Sequence, residues 1–373
     1  MRVLQAVSSM NAGGIETLLM SVFRAIDRSR IQFDFLYRTE DPCLFDEEIV
    51  SLGGRIHRVV PGFGAQRKLR SVFLENRYQI AHFHYSRLAY MEPYDVAGRC
   101  GVPTRIVHSH CTRSVTPDMR SRIAESLHKF NRARVRDAVR FACSRDAASW
   151  FGFDRPGGGW TFIPNAIDVG RFSFDDAKRR EARAELGFGE DAFVVGSVGR
   201  LSLPKNQTFL LRVFSELQAV RPKSRLMIVG KGNLQRDLEN EARSLGIAQK
   251  VIWLHDRLDT DRLYSAMDAF CFPSVFEGLG IALLEAQANG LHCFASDAVP
   301  CEAFVGGAKR VPLAAGTRAW AGELAMVPVG ARRAHADKEV AAAGFDIKSV
   351  AEMLQEKYEC LAARGSGFVH ATD

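Results

Sequence analysis

Residues 273–290 read PSVFEGLGIALLEAQANG, a short apolar run followed by a glycine-flanked turn and an apolar helix. Two carboxylates eight positions apart, Glu277 and Glu285, lie on either side of the turn. The turn residues are Gly278, Leu279 and Gly280. Backbone N–H groups in such a turn can approach an anion closely, and the helix that follows adds a partial positive charge at its N-terminus. We therefore expect a phosphate group to bind here without a metal ion.

Two cations upstream could bind the same diphosphate. The run 193–198 has the pattern of a strand, and Arg200 and Lys205 lie between its end and the start of the next helix. Arginine binds phosphate oxygens through its planar guanidinium group, and lysine acts as a point charge. The alternative is an ordinary surface position at a strand–helix junction, but the helix downstream favours a diphosphate site.

These motifs, together with Gly13-Gly14-Ile15-Glu16 near the N-terminus, resemble the retaining glycosyltransferases of family 4. The resemblance extends in order along nearly the whole chain and is to enzymes of bacterial exopolysaccharide and capsule biosynthesis. It implies an α/β protein of the GT-B fold. Two doubly wound, Rossmann-like domains would face a deep interdomain cleft, and a C-terminal helix would cross back to the N-terminal domain.

The hydrophobic pattern independently predicts two such domains. At 373 residues the chain is longer than a single core usually supports. Short strand-like runs alternate with helical segments, which is typical of parallel sheets covered by helices on both faces. The predicted strands are residues 2–7, 33–37, 56–60, 80–83, 105–108, 141–144, 193–198, 225–229, 251–254, 269–272 and 293–296.

A glycine-rich stretch at residues 154–159 interrupts this alternation. We therefore predict an N-terminal, acceptor-binding domain over residues 1–165 and a C-terminal, donor-binding domain over residues 166–346. Residues 347–363 are amphipathic with one apolar stripe, so they must pack on another element. The resemblance implies that this returning helix, within residues 347–373, packs on the N-terminal domain.

The two glutamates are expected to have different roles. A carboxylate can accept two hydroxyl hydrogen bonds at once, which suits Glu285 to the ribose of a nucleotide. By resemblance, Glu277 contacts hydroxyl groups of the donor sugar and stabilises the reacting centre, so we expect it to be catalytic. For either residue the alternative is a charge at the helix N-terminus or in solvent.

The N-terminal domain contributes further candidates. Gly13 and Gly14 follow the first strand and open a helix whose N–H groups could approach the donor diphosphate, although Glu16 could cap this helix instead. The sequence PNAID around Asn165 resembles the family's interdomain junction, and we expect Asn165 on the acceptor side. An alanine replaces the usual glycine in this motif and disfavours positive φ.

Four histidines end two of the predicted strands, in the pairs His82/His84 and His108/His110. In the resembled family a histidine that matches His110 faces the donor sugar, so we expect His110 to be catalytic and His84 to lie on the acceptor side. His82 and His108 are expected to pack beneath, on the opposite face. A zinc site built from the two pairs is the alternative. Because no carboxylate cluster accompanies them and the resembled enzymes need no metal, we predict neither metal nor cofactor.

The excess of positive charge is confined to the first half of the chain. Residues 1–165 contain 24 Lys and Arg against 16 Asp and Glu, whereas the remainder contains 26 against 27. Between residues 113 and 146 basic and apolar residues alternate, which suits an anionic membrane surface or a lipid diphosphate as well as it suits a solvated helix face. The basic residues here are Arg120, Arg122, Lys129, Arg132, Arg134, Arg136 and Arg140. No aromatic–basic module typical of nucleic-acid binding is present.

The location of the protein can also be predicted from the sequence. No apolar run approaches the roughly 20 residues that span a bilayer, and the chain opens on a strand pattern without a signal-peptide core. The eight cysteines are scattered without a Cys-x-x-Cys pair, which is typical of reduced core residues. We expect a cytoplasmic protein, peripheral at most on the inner face of the plasma membrane.

The resemblance and the motifs together predict a retaining hexosyltransferase. The donor would be a nucleoside diphosphate sugar with uridine as its nucleoside, and the acceptor a saccharide, lipid-diphosphate-linked. The alternatives are a GT-B-fold sugar-nucleotide epimerase, which binds the same donor without an acceptor, and a non-catalytic subunit that binds nucleotide sugars. The joint presence of both glutamates and both cations argues against the second alternative.

Overall fold

A computed structural model describes residues 1–11, 13–111, 119–155 and 159–366. The chain divides into two compact units. The first contains Met1–Ala166 and the C-terminal residues from Ile347 onward, and the second contains Ile167–Asp346. This division falls one residue after the predicted boundary.

Thirteen strands form two sheets within the described residues. The strands are β1 Arg2–Ala6, β2 Gln32–Tyr37, β3 Ile56–Arg58, β4 Ile80–Tyr85, β5 Thr104–Ser109, β6 Val139–Ala142, β7 Thr161–Phe162, β8 Val194–Val198, β9 Arg225–Val229, β10 Val251–Leu254, β11 Ala269–Phe272, β12 His292–Ala295 and β13 Ala308–Arg310. The sequence did not predict β7 and β13. Both are very short, and neither contains a buried residue, so their strand pattern in the sequence is weak.

Helices connect nearly all of these strands. They are α1 Gly14–Ala25, α2 Asp46–Ser51, α3 Ala65–Asn76, α4 Glu92–Arg99, α5 Met119–Asn131, α6 Arg145–Phe151, α7 Val169–Phe172, α8 Asp176–Glu185, α9 Gln207–Val220, α10 Gln235–Ser244, α11 Thr260–Ala266, α12 Ile281–Ala288, α13 Gly316–Ala325, α14 Ala336–Val340 and α15 Ile347–Ser366. Among the residues that the structure describes, no helix combines the length and the apolar composition needed to cross a bilayer.

Both sheets are parallel and doubly wound. The first has the strand order β3-β2-β1-β4-β5-β6-β7, and the second has the order β10-β9-β8-β11-β12-β13. In each sheet the order reverses once, between β1 and β4 and between β8 and β11. In open parallel sheets ligands bind beyond the carboxyl ends of the strands at this reversal.

The last helix, α15, completes the core of the first unit. Its buried residues Val350, Leu354 and Tyr358 belong to the same apolar cluster as α1 and β2. The Tyr358 ring meets the Phe33 ring edge-on at 6.1 Å between centroids. The predicted apolar stripe is therefore confirmed as the face that packs on the N-terminal sheet.

Replacing Leu354 with alanine tests this packing. Because Leu354 is buried in the cluster, Leu354→Ala is expected to lower the free energy of unfolding by about 3 kcal/mol, through lost burial and a cavity. Glu356→Ala, on the exposed side of α15, is the matched control and is expected to change it by less than about 0.5 kcal/mol. Urea unfolding measures both, and equal effects would contradict the packing.

Candidate functional site

The predicted donor-binding residues lie at the reversal point of the second sheet. Arg200 and Lys205 follow β8, whereas Glu277 and α12 follow β11, the neighbouring strand. The sequence therefore brings the cationic motif and the two-glutamate motif to the same edge of the same sheet, where the carboxyl ends of the two central strands meet.

Hydrogen bonds connect the two loops directly. The N–H of Val275 donates to the carbonyl of Pro204 over 2.8 Å, and the Asn206 side-chain amide donates to the carbonyl of Pro273 over 3.1 Å. Asn206 has a positive φ of 54°, a conformation that asparagine tolerates better than most residues. This conformation turns the chain from a short 3₁₀ segment, Leu203–Lys205, into α9.

Lys205 and Glu277 form an ion pair across these loops. The Lys205 Nζ atom lies 2.6 Å from Glu277 Oε1 and 4.9 Å from the centre of the Phe272 ring. The lysine stem runs past Gly199, where its Cε atom lies 3.3 Å from the position that a Cβ atom would take. Gly199 also has a φ of 151°, so both its conformation and its surroundings favour glycine.

Ser274 also holds the Glu277 carboxylate. The Ser274 hydroxyl donates to Glu277 Oε1 over 2.6 Å, and Ser274 itself is fully buried. Glu277 is 9% exposed. The Lys205 ammonium group and the Ser274 hydroxyl group thus both hold this carboxylate at the opening of the loop.

The turn before α12 is tightly enclosed. Gly280 precedes the helix with a φ of 102°, and a Cβ atom there would lie 3.2 Å from the Phe272 ring. Leu279 is buried. The buried leucine and the close Phe272 ring restrain the turn at the N-terminus of α12, where backbone N–H groups can approach an anion.

Glu285 lies on α12 beside a tyrosine of the neighbouring helix. The Tyr264 hydroxyl donates to Glu285 Oε2 over 2.8 Å. Burial raises the pKa of Glu285 to about 7, although the Tyr264 hydrogen bond opposes the increase. Burial therefore favours the protonated form of this carboxyl group more than solvent would.

Arg200 differs from Lys205 in its surroundings. It is exposed at the end of β8, and within the described parts of the chain no carboxylate forms an ion pair with it. Gln207 anchors only its backbone, since the Gln207 side chain donates to the Arg200 carbonyl over 2.9 Å. The guanidinium group is accessible to an anion.

In the first unit, the predicted glycine pair opens α1. Gly13 is the N-cap residue, with extended backbone dihedrals, and Gly14 is the first residue of the helix. The Glu16 carboxylate lies where a Cβ atom on Gly13 would be. An anion that approached this helix N-terminus would have to displace the Glu16 carboxylate. This position agrees with the alternative that Glu16, and not a ligand, occupies the N-terminus of α1.

The four histidines form one cluster, and this corrects the prediction for His82 and His108. Residues two apart in a strand share a face, so His82 lies beside His84, and His108 beside His110, with ring centroids 4.1 Å and 3.9 Å apart. The expected opposite face was wrong. The four rings are all buried, and His82 and His108 are only slightly deeper than the other two.

The cluster is held in its neutral form. Burial is the largest cause and lowers the pKa of His82, His84 and His108 well below the ordinary value. It lowers the pKa of His110 to about 3, partly offset by Asn165. Asn165 is thus next to His110, within the first unit.

Three of these rings have the spacing of a possible metal site. The ligand atoms of His82, His84 and His108 lie within 4.8 Å of one another. Imidazoles suit zinc and other transition metals. That the protein works without a metal ion stays a prediction.

The alanine after Asn165 has a simple structural role. Ala166 does not adopt positive φ, and its side chain is buried in the core of the first unit. The junction therefore does not use the conformation for which glycine is favoured.

Comparisons with known proteins identify the family. The family described as Glycosyl transferases group 1 matches residues 178–310. EpsF of Bacillus subtilis (strain 168), a protein named as a glycosyltransferase, is 33% identical over 378 residues, which covers 96% of this chain and 96% of EpsF. The chain belongs to the group 1 glycosyl transferases.

Two further relatives bear on this glycosyltransferase. An Escherichia coli protein named UDP-Gal:alpha-D-GlcNAc-diphosphoundecaprenol alpha-1,3-galactosyltransferase is 33% identical over 138 residues, 36% of each chain. The crystal structure of Anabaena HepE in complex with UDP and glucose has a TM-score of 0.77 at 17% identity and covers 96% of this chain and 100% of HepE. The structural likeness confirms the predicted GT-B fold.

Sequence motifs did not reveal every residue that shapes these sites in the glycosyltransferase. Ser274 could have been found, since it lies three residues before Glu277 and directly after a buried strand. Tyr264 and Gln5 belong to no recognisable motif. Tyr358 contacts Gln5 across 353 positions of the chain, which no local pattern can predict.

The pKa of Glu285 generates a prediction for ligand binding. UDP-glucose is expected to bind less tightly as the pH falls below about 7, because protonation removes the charge of Glu285 and makes the group a weaker acceptor of hydroxyl hydrogen bonds. The decrease is at most about tenfold per pH unit. Glu285→Gln is expected to bind weakly at every pH and to lose this dependence. Calorimetric titration measures both proteins, and a pH-independent affinity of the wild type would contradict the assignment.

The same proton affects stability in the absence of ligand. Folding raises the pKa of Glu285 from 4.5 to about 7. The contribution of Glu285 to the free energy of unfolding is therefore fully present below pH 4.5, and it is lost as the pH rises through about 7. We expect the difference in melting temperature between wild type and Glu285→Gln to change across this window. A constant difference would argue against a raised pKa.

Proposed function

We propose that this glycosyltransferase moves a hexose from a UDP-sugar to a saccharide acceptor linked to a lipid diphosphate, with retention of anomeric configuration and without a metal ion. The observation that carries the proposal is the Lys205–Glu277 ion pair, held at 2.6 Å between the loops that follow β8 and β11. A diphosphate bound there would meet Lys205, Arg200 and the N-terminus of α12.

Donor binding would redistribute the contacts of Lys205. The ammonium group can bind a phosphate oxygen in place of, or together with, Glu277. The Glu277 carboxylate, still held by Ser274, would then be available to hydroxyl groups of the sugar. Ribose hydroxyls would donate to Glu285.

The cations would stabilise the leaving group. As the bond between the anomeric carbon and the β-phosphate oxygen breaks, negative charge grows on the diphosphate, and fixed cations and helix N–H groups stabilise that charge. The acceptor oxygen would bond to the anomeric carbon on the same face, and its proton would pass to the departing β-phosphate. Retention follows from this front-face geometry.

In the first unit, His110 would contact the donor sugar. Its ring is neutral, so it can bind a hydroxyl group without adding a charge near the developing positive charge of the sugar. His84 and Asn165, which contact or adjoin His110, would lie on the acceptor side.

Two observations support a lipid-linked acceptor. The name of the E. coli relative specifies a diphosphoundecaprenol acceptor. Helix α5 also has three exposed apolar residues on one face, Ile123, Leu127 and Phe130. Phe130 is 75% exposed. Exposed basic residues accompany it at Arg122, Lys129, Arg134 and Arg136. The predicted basic side chain of Arg120 lies outside the described residues.

Transfer itself is tested with UDP-sugars and an undecaprenyl-diphosphate-linked monosaccharide. We expect a disaccharide product with the anomeric configuration of the donor, formed equally well in the presence of EDTA. Glu277→Gln is expected to lower kcat by about a hundredfold or more while UDP-glucose still binds, because the residue acts on the reacting sugar. An epimerised sugar nucleotide without acceptor, or unchanged transfer by Glu277→Gln, would contradict the proposal.

Membrane contact is tested separately. The wild type is expected to co-sediment with vesicles that contain phosphatidylglycerol, and less with vesicles of phosphatidylcholine alone, because both apolar insertion and charge contribute. Replacing Ile123, Leu127 and Phe130 with serine is expected to abolish co-sedimentation. Leu74→Ser, which removes an exposed apolar side chain on α3, is the control and should bind like the wild type. Binding by the triple variant would refute this surface.

A further inference from the structure

A chain of buried hydrogen bonds connects α15 to His110. Tyr358 Oη accepts from Gln5 Nε2 over 3.3 Å and lies 2.7 Å from His82 Nδ1. Gln5 Oε1 lies 2.8 Å from His84 Nε2, and His84 Nδ1 lies 3.0 Å from His110 Nε2. All five side chains are buried within the first unit.

Counting protons along this chain fixes a tautomer. A neutral imidazole has one N–H group and one lone pair. Since Gln5 Oε1 can only accept, His84 Nε2 must carry the hydrogen, and His84 Nδ1 must accept. His110 Nε2 then has to donate to it. The lone pair of His110 is therefore on Nδ1.

The direction of the chain depends on Tyr358. Its hydroxyl group accepts from the Gln5 amide nitrogen and lies 2.7 Å from His82 Nδ1, and the engaged amide nitrogen leaves the amide oxygen facing His84. If the amide turned round, every hydrogen bond up to His110 would reverse. Tyr358 thus acts on His110 through two intermediate side chains.

The remaining nitrogen of His110 lacks a strong partner. The Asn165 side chain is close enough to raise the pKa of His110, but among the described residues neither His110 Nδ1 nor Asn165 Oδ1 has a partner in hydrogen-bond geometry. A buried acceptor without a donor is costly, and a hydroxyl group of a bound molecule can satisfy it.

We propose that Gln5, His84 and Tyr358 are positioning residues that keep His110 in the Nε2–H tautomer, so that its Nδ1 atom accepts a hydrogen bond from a hydroxyl group of the donor sugar. The tautomer is a property of the free protein. The contact with the sugar rests on the proposed function.

Nitrogen NMR of the ¹⁵N-histidine-labelled free protein tests the tautomer. His84 and His110, assigned by their single substitutions, are expected to show a protonated Nε2 and an unprotonated Nδ1. Tyr358→Phe removes the hydroxyl group that orients Gln5, so it should produce a mixture of tautomers at His110. Tyr94→Phe, which removes the hydroxyl group of an equally buried tyrosine in the same unit, is the control and should leave the spectrum unchanged.

Three results would overturn the assignment. The first is a protonated Nδ1 in wild-type His110, and the second is an identical tautomer in wild type and Tyr358→Phe. The third is zinc bound to His84 in the purified protein, because a metal-bound nitrogen carries no proton. If Tyr358→Phe does not fold, Gln5→Met can replace it. This variant removes the amide that joins Tyr358 to His84, so it should also produce a mixture of tautomers at His110.

Binding and kinetics test the sugar contact. Tyr358→Phe is expected to lower kcat/KM for the UDP-sugar by about tenfold, by analogy with the loss of an outer hydrogen-bond partner that orients a metal-bound imidazole. Its affinity for UDP, which lacks the sugar, should not change. An equal loss for UDP and UDP-sugar would indicate a general structural defect and overturn the positioning role. If the wild type transfers no sugar at all, the proposed function fails while the NMR result still decides the tautomer.

Discussion

The ion pair between Lys205 and Glu277 is the contact on which the candidate donor site depends. A largely buried pair loses hydration, so it persists only when other contacts compensate. Here the Ser274 hydroxyl binds the same carboxylate oxygen, and the Phe272 ring lies under the ammonium group. The pair also connects the loops after β8 and β11, which the Val275–Pro204 backbone hydrogen bond joins a second time. These contacts fix Lys205 and Glu277 where the two loops meet.

The two units use the same position in the sheet for different chemistry. In the second unit the ends of β8 and β11 present charged groups, which suit phosphate. In the first unit the ends of β1, β4 and β5 present Gln5 and neutral imidazoles, which suit hydroxyl groups. Parallel sheets provide this position wherever the strand order reverses. The fold therefore explains where the groups lie, and the residues explain what each can bind.

The sequence predicted much of this arrangement because its signals are local. The limits of α12 and the positions of the longer strands along the chain follow from apolar runs and glycines, and Glu277 and Lys205 were expected at strand ends. The opposite faces assigned to His82 and His84 were wrong because residues two apart share a face. The contacts of Tyr358 with Gln5, and of Tyr264 with Glu285, join distant segments and required the three-dimensional structure.

The most direct measurement is the affinity of UDP for Lys205→Met and Glu277→Gln, determined by calorimetry against the wild type. If a diphosphate takes Lys205 from its ion pair with Glu277, Lys205→Met binds UDP more weakly. Glu277→Gln binds UDP more tightly than the wild type, because the lysine no longer has to leave a carboxylate. Unchanged affinity in Lys205→Met, or weaker UDP binding in Glu277→Gln, would contradict the account of the donor site.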